Sequence, residues 1–325
     1  MESGFHLSGP VVVRSPNWLG DAVMALPAVR NLKTLVARDP LAVATPEKLA
    51  ALWQICPFVD RVMVLDQPKN LAASAKKLRE GKFGSAVLLP NSFRAASEAW
   101  LAGIPQRIGY ARGGRRLLLT RAIPTPERNP VRLHQRYYYQ DLITALGGPV
   151  DPSVPELHGK AASGGSSTTV AICPGAEYGP AKRWPLENFL AVAKHFATKH
   201  QARIVLLGAP GDAPLTAELA RQLPGAEDRA GKTTLAEFLV ALASSRLVFC
   251  NDSGAMHAAS ILGVPTVAVF GSTEPQLTGP LGPRTAILRH HVPCSPCFLR
   301  ECPIDFACMK SITPEMAIAA AEKLI

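Results

Sequence analysis

The sequence predicts an α/β protein built of two doubly wound, largely parallel sheets. Three observations predict it. Short β-branched runs alternate with helix-patterned stretches in both halves of the chain, as βαβ units require. A small, polar, unpatterned stretch, GKAASGGSSTT from Gly159 to Thr169, separates the halves and reads as a linker. The length, 325 residues, suits two domains at roughly 100–200 residues each. The boundary is placed so that residues 1–160 form the first domain and 161–325 the second. A hydrophobic fraction of 47% against 18% charged residues supplies sizeable cores and excludes a disordered chain. No apolar run reaches the ~18–20 residues of a membrane-spanning helix. Met1 to Pro10 has no basic segment leading into an apolar one, so export is not expected and the cytoplasm is the default compartment.

In the first domain Val11 to Arg14, Leu41 to Ala44, Val62 to Leu65 and Ala86 to Leu89 read as buried strands. Helices are expected between them. One starts near Asp21, with Val23, Leu26, Val29 and Leu32 at three- and four-residue spacing. The others are Glu47 to Ile55, Leu71 to Arg79 and Ala95 to Leu101. Val131 to Leu146 reads as a longer helix, stopped by Gly147, Gly148 and Pro149. In the second domain the strands are Val170 to Cys173, Arg203 to Leu207, Leu247 to Cys250 and Thr266 to Phe270. Its helices are the stripe Leu186 to Ala197 behind Pro185, then Pro214 to Leu223, Leu235 to Ala243, Ala255 to Leu262 and Pro314 to Leu324. No internal repeat is visible. In open α/β sheets ligands sit at the carboxyl ends of strands. Two such domains facing each other would make a cleft for two substrates.

Three strand-to-helix loops carry chemistry-bearing residues. Asn17-Trp18-Leu19-Gly20-Asp21 puts a carboxylate at a helix start, where capping and general-base roles are both open to it. Trp18 beside it is expected to pack. Cys173 to Pro185, CPGAEYGPAKRWP, brings Lys182 and Arg183 to a helix N-terminus, an arrangement that suits phosphate. Asn251-Asp252-Ser253-Gly254-Ala255-Met256-His257 follows a buried strand, and backbone N–H groups at Ser253 and Gly254 could cradle a second phosphate. Singly, Asp252 reads equally as a cap and His257 as a core residue. Two phosphate-type loops in one domain favour a nucleoside diphosphate. GAEDRAGKT at Gly225 to Thr233 fails as a P-loop, because five residues separate its glycines where four are required.

Charge and cysteine are unevenly spread. Net charge is +10, and Arg107, Arg112, Arg115, Arg116, Arg121, Arg128, Arg132 and Arg136 face only Glu127 within one stretch. Such a patch attracts anionic partners, or is simply a solvated face. Cys56, Cys173 and Cys250 read as buried thiols of a reducing compartment. Cys294-x2-Cys297-x4-Cys302-x5-Cys308 has the count for one structural zinc or an iron–sulfur cluster, with His290 and His291 as alternative ligands, for four free thiols, or for regulatory or adventitious disulfides. Four thiolates would close a coordination shell, so a structural role is expected there rather than a catalytic one. A basic, Cys-rich nucleic-acid-binding protein is a distant alternative. The arginines lack interleaved aromatics apart from Tyr110 and Tyr137 to Tyr139, and no nucleic-acid partner is expected.

At RSPNWLGDAVMALPAV, CPGAEYGPAKRWP and CNDSGAMHAASILGVPTVAVFGSTEP the sequence resembles glycosyltransferase family 9, the ADP-heptose:lipopolysaccharide heptosyltransferases. GAEYGPAKRWP resembles the heptosyltransferase II branch. The similarity runs from about Val11 to the C-terminus in unbroken motif order. The resemblance implies a GT-B fold of two Rossmann-like domains, the first binding acceptor and the second the nucleotide sugar. It implies Asp21 as general base, Lys182 on donor phosphate, and Asp252, Ser253, Gly254 and His257 around ADP. It implies inversion without a catalytic metal or cofactor, ADP-heptose as donor and heptosyl-Kdo-lipid A as acceptor. Arg112, Arg115 and Arg116 would then meet the phosphorylated acceptor. The enzyme would sit peripherally at the anionic cytoplasmic face of the inner membrane. A related transferase using another nucleotide sugar or acceptor is the alternative. The chain departs from the family pattern in about ten extra residues before its first strand and in the cysteine cluster, which that catalytic scheme does not use.

Overall fold

A computed structural model describes residues 6–65, 70–127, 133–155, 157 and 168–325. The chain divides into two units, Met1–Pro155 and Glu156–Ile325. Most of the stretch read as a linker, residues 158–167, lies outside the described residues. No helix among the described residues is long and apolar enough to cross a membrane.

The first unit runs β1 (Val11–Arg14), α1 (Leu19–Met24), α2 (Leu26–Val36), β2 (Leu41–Thr45), α3 (Ala50–Gln54), β3 (Arg61–Val64), α4 (Leu71–Glu80), β4 (Ser85–Leu88), α5 (Phe93–Leu101), β5 (Gln106–Tyr110), β6 (Arg121–Ile123) and α6 (Gln135–Thr144). Its strands form one sheet in the order β3-β2-β1-β4-β5-β6, and every pairing is parallel. The second unit runs β7 (Thr169–Cys173), α7 (Leu186–Lys199), β8 (Arg203–Leu206), α8 (Ala213–Gln222), β9 (Glu227–Asp228), α9 (Leu235–Ala243), β10 (Leu247–Asn251), α10 (Gly254–Ile261), β11 (Thr266–Phe270), α11 (Pro275–Thr278), β12 (Thr285–Arg289), α12 (Ala307–Lys310) and α13 (Pro314–Glu322). Its order is β12-β11-β10-β7-β8-β9, again parallel throughout. Read from its other end, this is the first sheet's order with six added to each strand number. Both are Rossmann-type sheets, and the order reverses at β1/β4 in one and at β7/β10 in the other.

The central strands are apolar on both faces because helices cover both faces. Val11, Val12 and Val13 of β1 are buried, as are Val248, Phe249 and Cys250 of β10. Each such side chain contributes roughly 1.5–3 kcal/mol of transfer free energy. Strands β5, β6, β9 and β12, toward the ends of the two sheets, do not stand out in the sequence. Two to five residues long and bearing Arg, Gln, Glu or Asp, they show no sustained apolar run. The helix expected from Val131 starts at Gln135, where His134 accepts a hydrogen bond from the Arg136 N–H as its cap. It stops where expected. Gly147 takes φ +88°, and the Gly148 N–H returns to the Ile143 carbonyl. α13 buries Ala317 and Ala321 in the second unit's core with Phe196 of α7.

Candidate active site

Both reversal points carry the motifs. In the first unit, β1 ends at Arg14 beside Leu88 of β4. The buried Arg14 guanidinium donates from Nε to Glu98 Oε2 of α5 at 2.9 Å, and from Nη1 to the Ser15 carbonyl at 3.0 Å and Asn17 Oδ1 at 3.3 Å. Glu98, also buried, accepts a second bond from Arg94 at 2.9 Å. This ion pair fixes the loop that delivers Asp21. Asp21 lies inside α1, whose N-cap is Trp18 with no side-chain cap bond. Capping is therefore not its role. Its Oδ1 accepts instead from the Tyr139 hydroxyl of α6 at 3.2 Å. Burial raises the Asp21 carboxyl above its ordinary range, and the Tyr139 bond partly opposes that. Burial, followed by the Asp21 charge, holds the Tyr139 phenol well above its usual value, so it remains a donor. Trp18 does not pack as expected. It is 54% exposed, with Lys48 Nζ 4.8 Å above its ring.

In the second unit the loops after β7 and β10 close on each other. Lys182 Nζ pairs with Asp252 Oδ2 at 2.5 Å, and the same oxygen accepts from Thr273 Oγ1 at 2.6 Å. The Asn251 side chain bridges the two loops through backbone groups of Trp184 and Pro174. Asn251 Oδ1 accepts from the Trp184 N–H at 2.9 Å, and its Nδ2 donates to the Pro174 carbonyl at 2.8 Å. Ser253 is the N-cap of α10 yet makes no side-chain cap bond, and its buried Oγ has no partner among the described residues. Gly254 opens that helix, and His257 is buried on it. An unsatisfied hydroxyl, a helix N-terminus and a lysine within one junction suit a phosphate oxygen. Lys182 Nζ also lies 4.8 Å above the Tyr178 ring.

The arginine stretch is thinner than its charge count predicts. Arg115 is fully buried and donates to the backbone carbonyls of Tyr110, Pro90 and Leu88 and to Asn91 Oδ1. Burial pushes its guanidinium down to about 10. Arg115 is therefore corrected from an acceptor contact to a structural residue. Arg107 donates to the carbonyls of Leu118 and Ile104, and Arg121 to that of Ala145. Arg112 and Arg116 are exposed. Arg128 and Arg132 lie outside the described residues.

Cys294, Cys297, Cys302 and Cys308 line one small cavity, and none is in a disulfide. His290 and His291 are not among its lining residues. Burial, with the neighbouring Cys294, Cys302 and Cys297, raises the Cys308 thiol. Among the described residues, His195, His200 and Glu322 bring ligand atoms within 4.8 Å of one another. There Glu322 already pairs with Lys199 at 2.7 Å, so a cation is in place.

Sequence reasoning missed Tyr139, Thr273, Tyr178 and the Arg14–Glu98 pair. Only the last left a signal, a charged residue ending an apolar strand and another inside an apolar helix.

The glycosyltransferase family 9 (heptosyltransferase) model matches residues 71–307. Lipopolysaccharide heptosyltransferase 2 of Escherichia coli K12 is 30% identical over 315 residues, 86% of this chain and 87% of its own length. Lipooligosaccharide heptosyltransferase 2 of Haemophilus influenzae is 28% identical over 306 residues, 86% of this chain and 88% of its own. Among solved structures, E. coli ADP-heptose lps heptosyltransferase II matches with a TM-score of 0.80 at 26% identity, covering 97% of this chain and 98% of that one. The glycosyl transferase family 9 protein of Veillonella parvula matches in fold, with a TM-score of 0.82 at 22% identity over 99% and 98% of the two chains. The two Rossmann-like units match GT-B heptosyltransferase structures, and on the family model and the 30% identical relative the chain belongs to glycosyltransferase family 9.

Proposed function

We propose that the chain transfers L-glycero-D-manno-heptose from ADP-heptose to the heptose of the lipopolysaccharide inner core, with inversion and without a catalytic cofactor. The observation that carries this is Asp21: a half-buried carboxylate at the β1 reversal point, raised above its ordinary range by burial and aimed by Tyr139. A base so tuned takes a proton more effectively at physiological pH. The acceptor hydroxyl gives its proton to Asp21 as its oxygen bonds to the anomeric carbon. The bond from that carbon to the β-phosphate oxygen breaks, and ADP leaves with the electron pair. Lys182, the Ser253 hydroxyl and the Gly254 N–H at the start of α10 meet the charge that grows on the diphosphate. Asp252 holds Lys182 in place, and His257 lines the same helix. The first unit is thus the acceptor domain and the second the donor domain.

Arg112 and Arg116 would meet acceptor phosphates or anionic lipid headgroups. Leu117 between Arg116 and Leu118 is 95% exposed. A basic turn with an apolar tip suits peripheral binding at an anionic cytoplasmic membrane face. The test is turnover of ADP-heptose with a truncated inner-core acceptor, the product read by mass. Transfer from ADP-glucose in preference to ADP-heptose would reject this donor, and no transfer to a heptose-bearing acceptor would reject this acceptor.

A further inference from the structure

The segment after β12 is the part of the second unit that the transfer chemistry leaves unexplained. Its four cysteines surround a cavity of about 20 Å³, room for one particle of water size or smaller. Ser272, just after β11, lines the same cavity, and its Oγ is buried with no hydrogen-bond partner among the described residues. Two phenylalanines of the segment, Phe298 and Phe306, hold left-handed backbone at φ 56° and 62°. Such conformations persist only where their surroundings enforce them. Gly271 admits the approach of this segment to β11: a Cβ there would lie 2.4 Å from Met309 Sδ and 3.0 Å from Cys308 Sγ.

The segment is also fastened to the loop that carries Lys182. The Phe298 N–H donates to the Ser272 carbonyl at 2.7 Å, and the Phe298 carbonyl accepts from the Tyr178 hydroxyl at 2.7 Å. The Ala181 N–H donates to the Arg300 carbonyl at 2.9 Å. Arg300 lies 5.3 Å over the Tyr178 ring, on which Lys182 also rests. Residues 298–300 lie between the second and third cysteines, so whatever holds those two holds the lysine loop.

We propose that Cys294, Cys297, Cys302 and Cys308 bind one borderline-soft divalent metal ion, zinc by preference, as a tetrathiolate brace for the Tyr178–Lys182 loop. Soft thiolates select such an ion, and four of them leave no position for substrate. Binding releases the thiol protons to solvent. The ligand atoms already within 4.8 Å of one another belong to His195, His200 and Glu322, not to the cysteines. The ion would therefore draw the four sulfurs inward.

The metal site stands independently of the proposed reaction; the brace rests on Lys182 as a donor contact. The full chain, purified without chelator, should carry about one zinc per chain. Exchange with cobalt should produce the intense d–d and charge-transfer absorption of a tetrahedral tetrathiolate. Cys294→Ser, at an exposed position that does not threaten folding, should lower zinc affinity by ~10-fold or more and change that spectrum to three-sulfur character. Four freely titrating thiols with no stoichiometric metal would overturn the site, as would acid-labile sulfide, which marks an iron–sulfur cluster instead. Removing the metal from folded protein should weaken ADP binding several-fold. Unchanged ADP affinity in folded, metal-free protein would overturn the brace. Failure of the metal-loaded protein itself to bind ADP would instead reject the donor-site reading and leave the metal site standing.

Discussion

The two units share one strand order and treat charge at the reversal point in opposite ways. In the first, the ion pair Arg14–Glu98 is buried scaffolding, and the proposed base, Asp21, has no ion-pair partner among the described residues and accepts from a phenol. In the second, the ion pair Lys182–Asp252 lies at the proposed donor site itself. The difference fits the role proposed for each. A base needs its charge destabilised, so burial without a cation raises Asp21. A phosphate site is served by an oriented positive charge, and Lys182, largely buried, is paired with Asp252. The same topology therefore serves opposite electrostatic ends through the choice of neighbour.

The sharpest way to break the comparison is Asp21→Asn. Transfer should fall by ~10²–10⁴-fold while ADP affinity is kept, as read by steady-state kinetics and calorimetry. Thermal stability at neutral pH should hold or rise. A carboxyl raised in the folded state contributes stability below its unfolded pKa and loses it as pH rises through the folded value, so at neutral pH the ionised Asp21 is a burden that the amide removes. More than half of wild-type kcat in the variant would deny Asp21 the base role.

Next in size come the scaffold residues of the first unit. Glu98→Gln leaves two arginines facing an uncharged amide, and breaking a buried pair costs ~3–5 kcal/mol. Arg115→Ala strips three carbonyls of a donor, at ~1–3 kcal/mol for each left unsatisfied. Both should lower the melting temperature with ADP affinity preserved in whatever protein folds. A drop in ADP affinity without loss of stability would erase the distinction between scaffold and functional pair.

Lys182→Ala should weaken ADP binding by ~1.5–3 kcal/mol, about 10- to 150-fold, and slow transfer as well. Because Asp252 would be left buried with only Thr273, the double variant Lys182→Ala with Asp252→Asn should regain stability but not affinity. ADP affinity equal to wild type in either variant removes Lys182 from the donor site.

A smaller effect sharpens the account of Asp21. The Tyr139 bond holds the carboxyl lower than burial alone would. Tyr139→Phe should therefore move the acid limb of kcat/KM to higher pH and reduce the rate a few-fold near neutrality. A limb that stays put, or moves to lower pH, contradicts the geometry. Smallest of all, Arg112→Ala with Arg116→Ala should raise acceptor KM modestly, at ~0.2–1 kcal/mol per exposed charge. Wild-type acceptor KM should itself rise with salt. An acceptor KM indifferent to salt would make these arginines a solvated face.

The sequence by itself determined the α/β class, the central strands of both sheets and the loops bearing Asp21, Lys182 and Asp252. These are local properties: a β-branched run, a glycine-bearing turn and a helix stripe lie within about twenty residues, and their periodicity survives without knowledge of the partner strand. The tertiary structure alone decided how those loops are tuned. Tyr139 reaches Asp21 across 118 positions, Glu98 reaches Arg14 across 84, and Thr273 reaches Asp252 across 21. Hydrogen bonds of that span leave no periodic trace in a single chain. Burial was equally hidden where it ran against residue type. Arg115 sits in the most basic stretch of the chain and is fully buried, because four acceptors converge on it from β4, β5 and the loop between them and α5. The cysteine spacing announced a cluster. Only the folding of residues 294–308 against β11 and the Lys182 loop decided that the cluster lies beside Ala181 and Ser272.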